Sequence, residues 1–178
     1  MKEKEINLDI SLKLQQLIEQ SGGVAMLTRS EDVSTADKNR SKALTQKKSD
    51  LMERKADIEK YNADIFVSIH MNKFSDEKYS GAQVFYPADE KSRKLAEIMQ
   101  KSLIDVLDKS NNRSAKENNK IFVLKNNTVP SILIECGFLS NKAENNKFTT
   151  EAYRQKTAWA IYMGLNSFFY NIEKNTNK

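Results

Sequence analysis

The 178 residues and 20.4 kDa of this chain suffice for one domain with a real hydrophobic core and leave no room for two. With 39% hydrophobic and 30% charged residues, five Gly and two Pro, the composition excludes a collagen, a Pro-rich linker and a wholly disordered chain. No apolar run approaches eighteen residues, so no membrane span is expected, and the amphipathic start does not read as a secretory signal. The net charge of +5 admits anionic partners, but lysines are spread along the chain beside acids, as solvated helix faces require, and nucleic acid is not expected as the partner. Cys136 is the only cysteine, which excludes an internal disulfide and a Cys-rich metal knuckle.

Apolar residues at Ile6, Ile10, Leu14, Leu17 and Ile18 fall at helical spacing and stop at Gly22-Gly23, predicting a first helix. Val24 to Thr28 reads as a short strand, and residues 29–48 as a polar loop leading into a helix. Ser49 offers an N-cap for a helix carrying Leu51, Ala56 and Ile58 and ending near Asn62. Asp64 to His70 is a nearly continuous β-branched and aromatic run, predicting a strand buried on both faces with His70 at its carboxyl end. Ala82 to Tyr86 is a further strand, closed by Pro87. Leu95, Ile98, Met99, Leu103 and Val106 mark a helix, and Ile121 to Leu124 reads as a strand ending at Asn126-Asn127. Ser131 to Cys136 is the second strongly apolar strand. A last helix is expected from Glu151 to Phe169, with a flexible tail over 171–178. Strands alternating with helices predict a three-layer α/β fold, a mixed, mostly parallel sheet flanked by helices.

In such sheets the reactive crevice lies beyond the carboxyl ends of the strands, where this chain places His70 and Glu135. A histidine with carboxylate partners, and no reactive Ser or Cys pair, points to metal-assisted hydrolysis. A free glutamate within reach of the activated water would serve as base and then acid. Glu135, embedded in Ser131-Ile132-Leu133-Ile134-Glu135-Cys136-Gly137, must be either paired or used, because a lone buried carboxylate is costly. His70 alone could equally be a hydrogen-bonded surface residue, and Glu3 alone a helix-start acid favoured by the macrodipole. A two-carboxylate glycosidase is conceivable but leaves His70 without a task.

Several segments together resemble the zinc-dependent N-acetylmuramoyl-L-alanine amidases: Glu3 to Leu8, Leu27-Thr28-Arg29, Leu51 to Arg54, Ala63 to Asn72, and Pro130 to Asn141. They recur in that family's order over nearly the whole chain, and Ser68 to Asn72 and Ser80 to Tyr86 are most similar to the germination-specific cortex amidases of spore-forming bacteria. The resemblance implies a cofactor zinc with Glu3 and His70 as ligands, Glu135 as the catalytic glutamate, and Asn72, Arg113 and Lys116 toward substrate. It implies cleavage of the amide between N-acetylmuramic acid and the L-alanine of the stem peptide, outside the cytoplasm, with peptidoglycan as substrate and an activating partner protein as a possibility.

The family pattern opens on a strand ending in a Gly-His-Gly-Gly turn that carries the first zinc histidine, and His70 is the only histidine here. The expectation is therefore a single catalytic domain over 1–178, truncated at its N-terminus and lacking the first strand. It should be weakened in metal binding, with Glu3 on an untethered terminus. The competing expectation is a peptidoglycan-binding pseudoenzyme of the same fold. The segment between His70 and Ala82 is too short for a plugging helix, so the groove should be open.

Overall fold

The computed structural model describes residues 2–31 and 43–176. Helix α1 (Glu3–Gln20) and helix α2 (Ala43–Lys60) precede strand β1 (Phe66–Asn72), strand β2 (Gln83–Tyr86) and helix α3 (Glu90–Leu107). Strand β3 (Lys116–Glu117), a 3-10 turn (Phe122–Leu124), strand β4 (Ser131–Phe138), helix α4 (Lys142–Thr149) and helix α5 (Glu151–Thr176) complete the order. The sheet runs β1-β4-β2-β3, with β1 parallel to β4, β4 antiparallel to β2, and β2 parallel to β3. It is a mixed open sheet flanked by helices, as the alternating pattern predicts.

Side-chain alternation divides the two faces. Val67, Ile69 and Met71 of β1, Ile132, Ile134 and Cys136 of β4 and Val84 of β2 point into one core. There they meet Ile6, Ile10 and Leu14 of α1, Leu95, Met99 and Leu103 of α3, and Ile161, Leu165 and Phe168 of α5. Each helix presents an apolar stripe at spacings of three and four, which is why all three lie on this side. Arg154, nearly buried, clamps α5 to α1 through Asp9 and to the end of α4 through the carbonyls of Phe148 and Thr149. The opposite face carries a smaller cluster of Val123, Leu124 and Leu133 with Leu51, Phe66, Phe85 and Ile121, roofed by α2 and the 3-10 turn.

Several expectations are corrected. Val24 to Thr28 forms no ladder among the described residues, and Val24 and Met26 are 86% and 55% exposed. A short apolar run becomes a strand only when a neighbouring strand takes its N–H and C=O groups, and among the described residues none does so here; the Ala25 carbonyl accepts from the Gln15 side chain instead. Among the described residues β1 likewise pairs on one edge only, and most of its residues are half-buried rather than enclosed on both faces. A groove of about 1090 Å³ opens between that free edge, residues 23–29, α1 and α2, lined by Val24, Met26, Ile65, Val67 and Ile69. Ile121 to Leu124 is a 3-10 turn, because Val123 and Leu124 must both turn into the small cluster, which an alternating strand forbids. Ser49 lies inside α2 rather than capping it, since the helix begins at Ala43. Helix α5 continues to Thr176, past the expected stop at Phe169 and through most of the expected tail. The loop expected over 29–48 falls largely on residues 32–42, outside the described residues.

Candidate active site

β1 and β4 are in register with His70 opposite Glu135, and paired residues of adjacent strands point to the same face. Only parallel pairing of two segments 65 residues apart brings this imidazole and this carboxyl together. α1 enters from the other direction: Glu3, in its first turn, has Oε1 3.2 Å from His70 Nδ1. The same oxygen accepts from the Met71 N–H at 3.4 Å and from Asn7 Nδ2 at 3.3 Å. The start of the helix is therefore fastened to β1, and the expected untethered Glu3 is corrected. His70 Nε2 lies 3.0 Å from Ser68 Oγ, two residues back on the same face of the strand.

The electrostatics separate the two carboxyls. The hydrogen bond from His70 holds Glu3 below the ordinary carboxylate value despite its partial burial, with help from Asn7 and Met71. Glu135 goes the other way, to about 7, because burial penalises its charged form and the Glu3 charge adds to the rise, while His70 opposes it. Glu135 Oε2 is buried and has no hydrogen-bond partner among the described residues. A carboxyl held near neutrality with a free oxygen, beside an imidazole, is poised to move a proton.

A β-bulge shapes the rim. Asn72 pairs with Phe138, so two residues of β4, Cys136 and Gly137, stand opposite Met71 alone. Cys136 lies in the core, where burial raises its thiol far above the ordinary value. At Gly137 an added Cβ would come 2.7 Å from the Phe148 ring of the same core, so only glycine fits. With both bulge residues turned to the core, Phe138 returns to the face that carries Glu135. Glu144 fixes this geometry: its buried carboxylate accepts from the Phe138 N–H at 2.7 Å and the Gly81 N–H at 2.9 Å.

Of the sequence-predicted residues, Glu3, His70 and Glu135 come together, and Asn72 flanks them on β1 with its Oδ1 turned to the Lys73 N–H. Arg113 stands at the bulge, with its guanidinium 5.0 Å from the Phe138 ring and Nε donating to the Ser80 carbonyl. Lys116 is exposed on β3, three strands from β1 or roughly 14 Å at ordinary strand spacing, and among the described residues no contact links it to the site. Ser68 and Glu144 are additional to the sequence reading. Asn141-Lys142-Ala143-Glu144 carries the Asn-x-x-Glu signature of a helix start, and Asn141 indeed caps α4, but the Glu144 side chain serves two distant amides instead. No helix forms between residues 73 and 82.

Glu3 and His70 have the donor chemistry of a zinc site, and the unpartnered Glu135 oxygen borders them. In number they fall short: among the described residues no three His, Cys, Asp or Glu side chains converge closely enough to hold a metal.

A mixed α/β sheet with a His–Glu pair and a buried glutamate at the strand ends is the framework of a hydrolase. Residues 1–167 match the N-acetylmuramoyl-L-alanine amidase family, and the chain belongs to that family of cell-wall hydrolases. It is 32% identical to the germination-specific N-acetylmuramoyl-L-alanine amidase of Bacillus subtilis (strain 168), over 94% of this chain and 70% of that protein. Among solved structures, the CwlD amidase of Clostridioides difficile in complex with the GerS lipoprotein superimposes with a TM-score of 0.92 at 46% identity, covering 96% of this chain and 87% of that one. An N-acetylmuramoyl-L-alanine amidase of Clostridium difficile 630 superimposes with a TM-score of 0.80 at 28% identity, covering 95% and 84%.

Proposed function

We propose that this chain serves zinc-dependent hydrolysis of the amide between the lactyl group of N-acetylmuramic acid and the L-alanine of the stem peptide, in cell wall or spore cortex outside the cytoplasm. The observation that carries the reading is the buried Glu135 Oε2, without a hydrogen-bond partner among the described residues, on a residue in register beside His70. Glu135 takes the proton of the attacking water as its oxygen adds to the carbonyl carbon. It returns that proton to the alanine nitrogen as the C–N bond breaks. Glu3 and His70 are the residues that would hold the metal. Ser68 steadies the His70 ring through Nε2, and Met71 and Asn7 aim the Glu3 carboxylate. When bound, zinc polarises the scissile carbonyl and makes water nucleophilic near neutral pH. Asn72 and Arg113 lie toward the substrate side of the bulge, and Lys116 would meet only a longer stretch of the polymer.

Purified peptidoglycan digested with added zinc should release stem peptides readable by mass spectrometry, and Glu135→Gln should lower that release about 10²- to 10⁴-fold. Equal release by the variant would remove Glu135 from the mechanism. A second reading, peptidoglycan binding without turnover, is favoured by the shortage of metal donors among the described residues. Zinc titration separates the two, because stoichiometric retention by this chain supports the enzyme. The CwlD relative was solved with a lipoprotein, which supports a partner protein for this chain too. Among the described residues no helix is long and apolar enough to cross a membrane.

A further inference from the structure

Beyond the carboxyl end of β1, Phe74 and Tyr79 are 53% and 39% exposed, yet their backbone is held fast. The Phe74 N–H donates to Ser140 Oγ, Asn141 Nδ2 donates to the Glu77 carbonyl, Arg113 Nε to the Ser80 carbonyl, and the Gly81 N–H to the buried Glu144 carboxylate. Four tethers along eight residues fix a loop whose largest side chains remain in water. Isolated apolar residues on a surface need no explanation, but a rigidly presented aromatic pair does. The rings are 5.3 Å apart at 54°, and both rest on the buried Phe138, at 6.1 and 6.2 Å. Arg113 braces the same Phe138 ring with its guanidinium, and among the described residues no carboxylate pairs with it.

The bulge puts Phe138 on the Glu135 side of the sheet, three residues along β4 or about 10 Å from the candidate base. Through Phe138 the aromatic pair is joined to the strand that carries Glu135. A pyranose ring has an apolar C–H face that stacks on aromatic rings and a rim of hydroxyl and acetamido groups that hydrogen-bond. The short D-alanyl methyls of a stem peptide offer nothing of that area. Resting on the amidase reading, we infer that Phe74 and Tyr79 form a saccharide subsite, which seats a sugar of the glycan strand beside the muramic acid whose amide is cut. Arg113 would meet the polar rim of the seated sugar.

The test is binding, which needs no turnover. Glycan strands stripped of their stem peptides are titrated into the full chain and into Phe74→Ala/Tyr79→Ala, with free stem peptide as the second arm. The double variant should lose glycan affinity at least about tenfold and leave stem-peptide affinity unchanged, while Phe74→Trp should stay within about threefold of the parent. Circular dichroism and melting temperature check that the double variant is folded. Undiminished glycan affinity in a folded double variant would overturn the subsite, as would a loss confined to the stem-peptide arm. Neither outcome touches the hydrolytic assignment, which stands or falls on stem-peptide release and Glu135→Gln.

Discussion

The two edges of β1 have similar sequences beside them and opposite fates. On one side β4, Ser131–Phe138, is paired on both edges and almost wholly buried, with Ile132 and Ile134 at 0% exposure. On the other, residues 24–28 are comparably apolar, yet among the described residues they join no ladder and stay half-buried to exposed across a groove of about 1090 Å³. Hydrophobicity nominates a strand, but hydrogen-bond partners make one. The site sits on the boundary between these regions: Glu135 belongs to the closed side, Glu3 and His70 to the open one.

Hydrogen exchange should show the contrast most sharply. Amides of Ile132 to Ile134 should exchange about 10³-fold or more slowly than those of Val24 to Thr28, and comparable protection would erase the distinction. Substitutions should follow the same divide. Ile134→Ala, which empties a site of 0% exposure, should cost about 2–5 kcal/mol in chemical denaturation, whereas Met26→Ala should stay within about 0.5 kcal/mol. Glu144→Ala leaves two amides at the bulge without an acceptor and should cost about 2–4 kcal/mol, with Glu144→Gln recovering part of the loss because its amide oxygen can still accept one of them.

A further effect concerns pH. Glu135 titrates at about 7 in the metal-free fold against an ordinary 4.5, so the native state holds the extra proton between those values. The stability tied to that proton is complete below about pH 4.5 and is lost as pH rises through 7, with a slope of at most about 1.4 kcal/mol per pH unit. Glu135→Gln removes the loss, so the variant should gain on the parent progressively from pH 5 to pH 8 in urea titrations. A constant gap across that range would mean that the carboxyl is not held near neutrality.

Much of the fold is visible along the chain wherever a local period coincides with a local partner. The stripes of α1, α3 and α5 and the apolar run of β4 need only helical hydrogen bonds or a central place in the sheet to be realised. Ile121 to Leu124 defeats that logic, since four apolar residues have no period of their own and the small cluster under α2 takes two adjacent ones. Helix α4 was hidden because Phe148 is its only large apolar side chain in the core, too little for an amphipathic stripe. At the site, His70 and Glu135 stand out as ionisable residues at the ends of apolar runs. The fastening of Glu3 to His70 and the double duty of Glu144 do not, because each joins residues more than sixty positions apart or across a turn.

Amino-acid order alone therefore accounts for the α/β class, the principal helices, the central strand and the residue types of the proposed site, all of which follow from short-range periodicity and from the cost of burying a charge. Folding in three dimensions settled the rest: the register that sets His70 opposite Glu135, the bulge that swings Phe138 back over the active face, and which apolar runs became strands. Those depend on backbone hydrogen bonds between distant segments, whose geometry exists only once the segments meet.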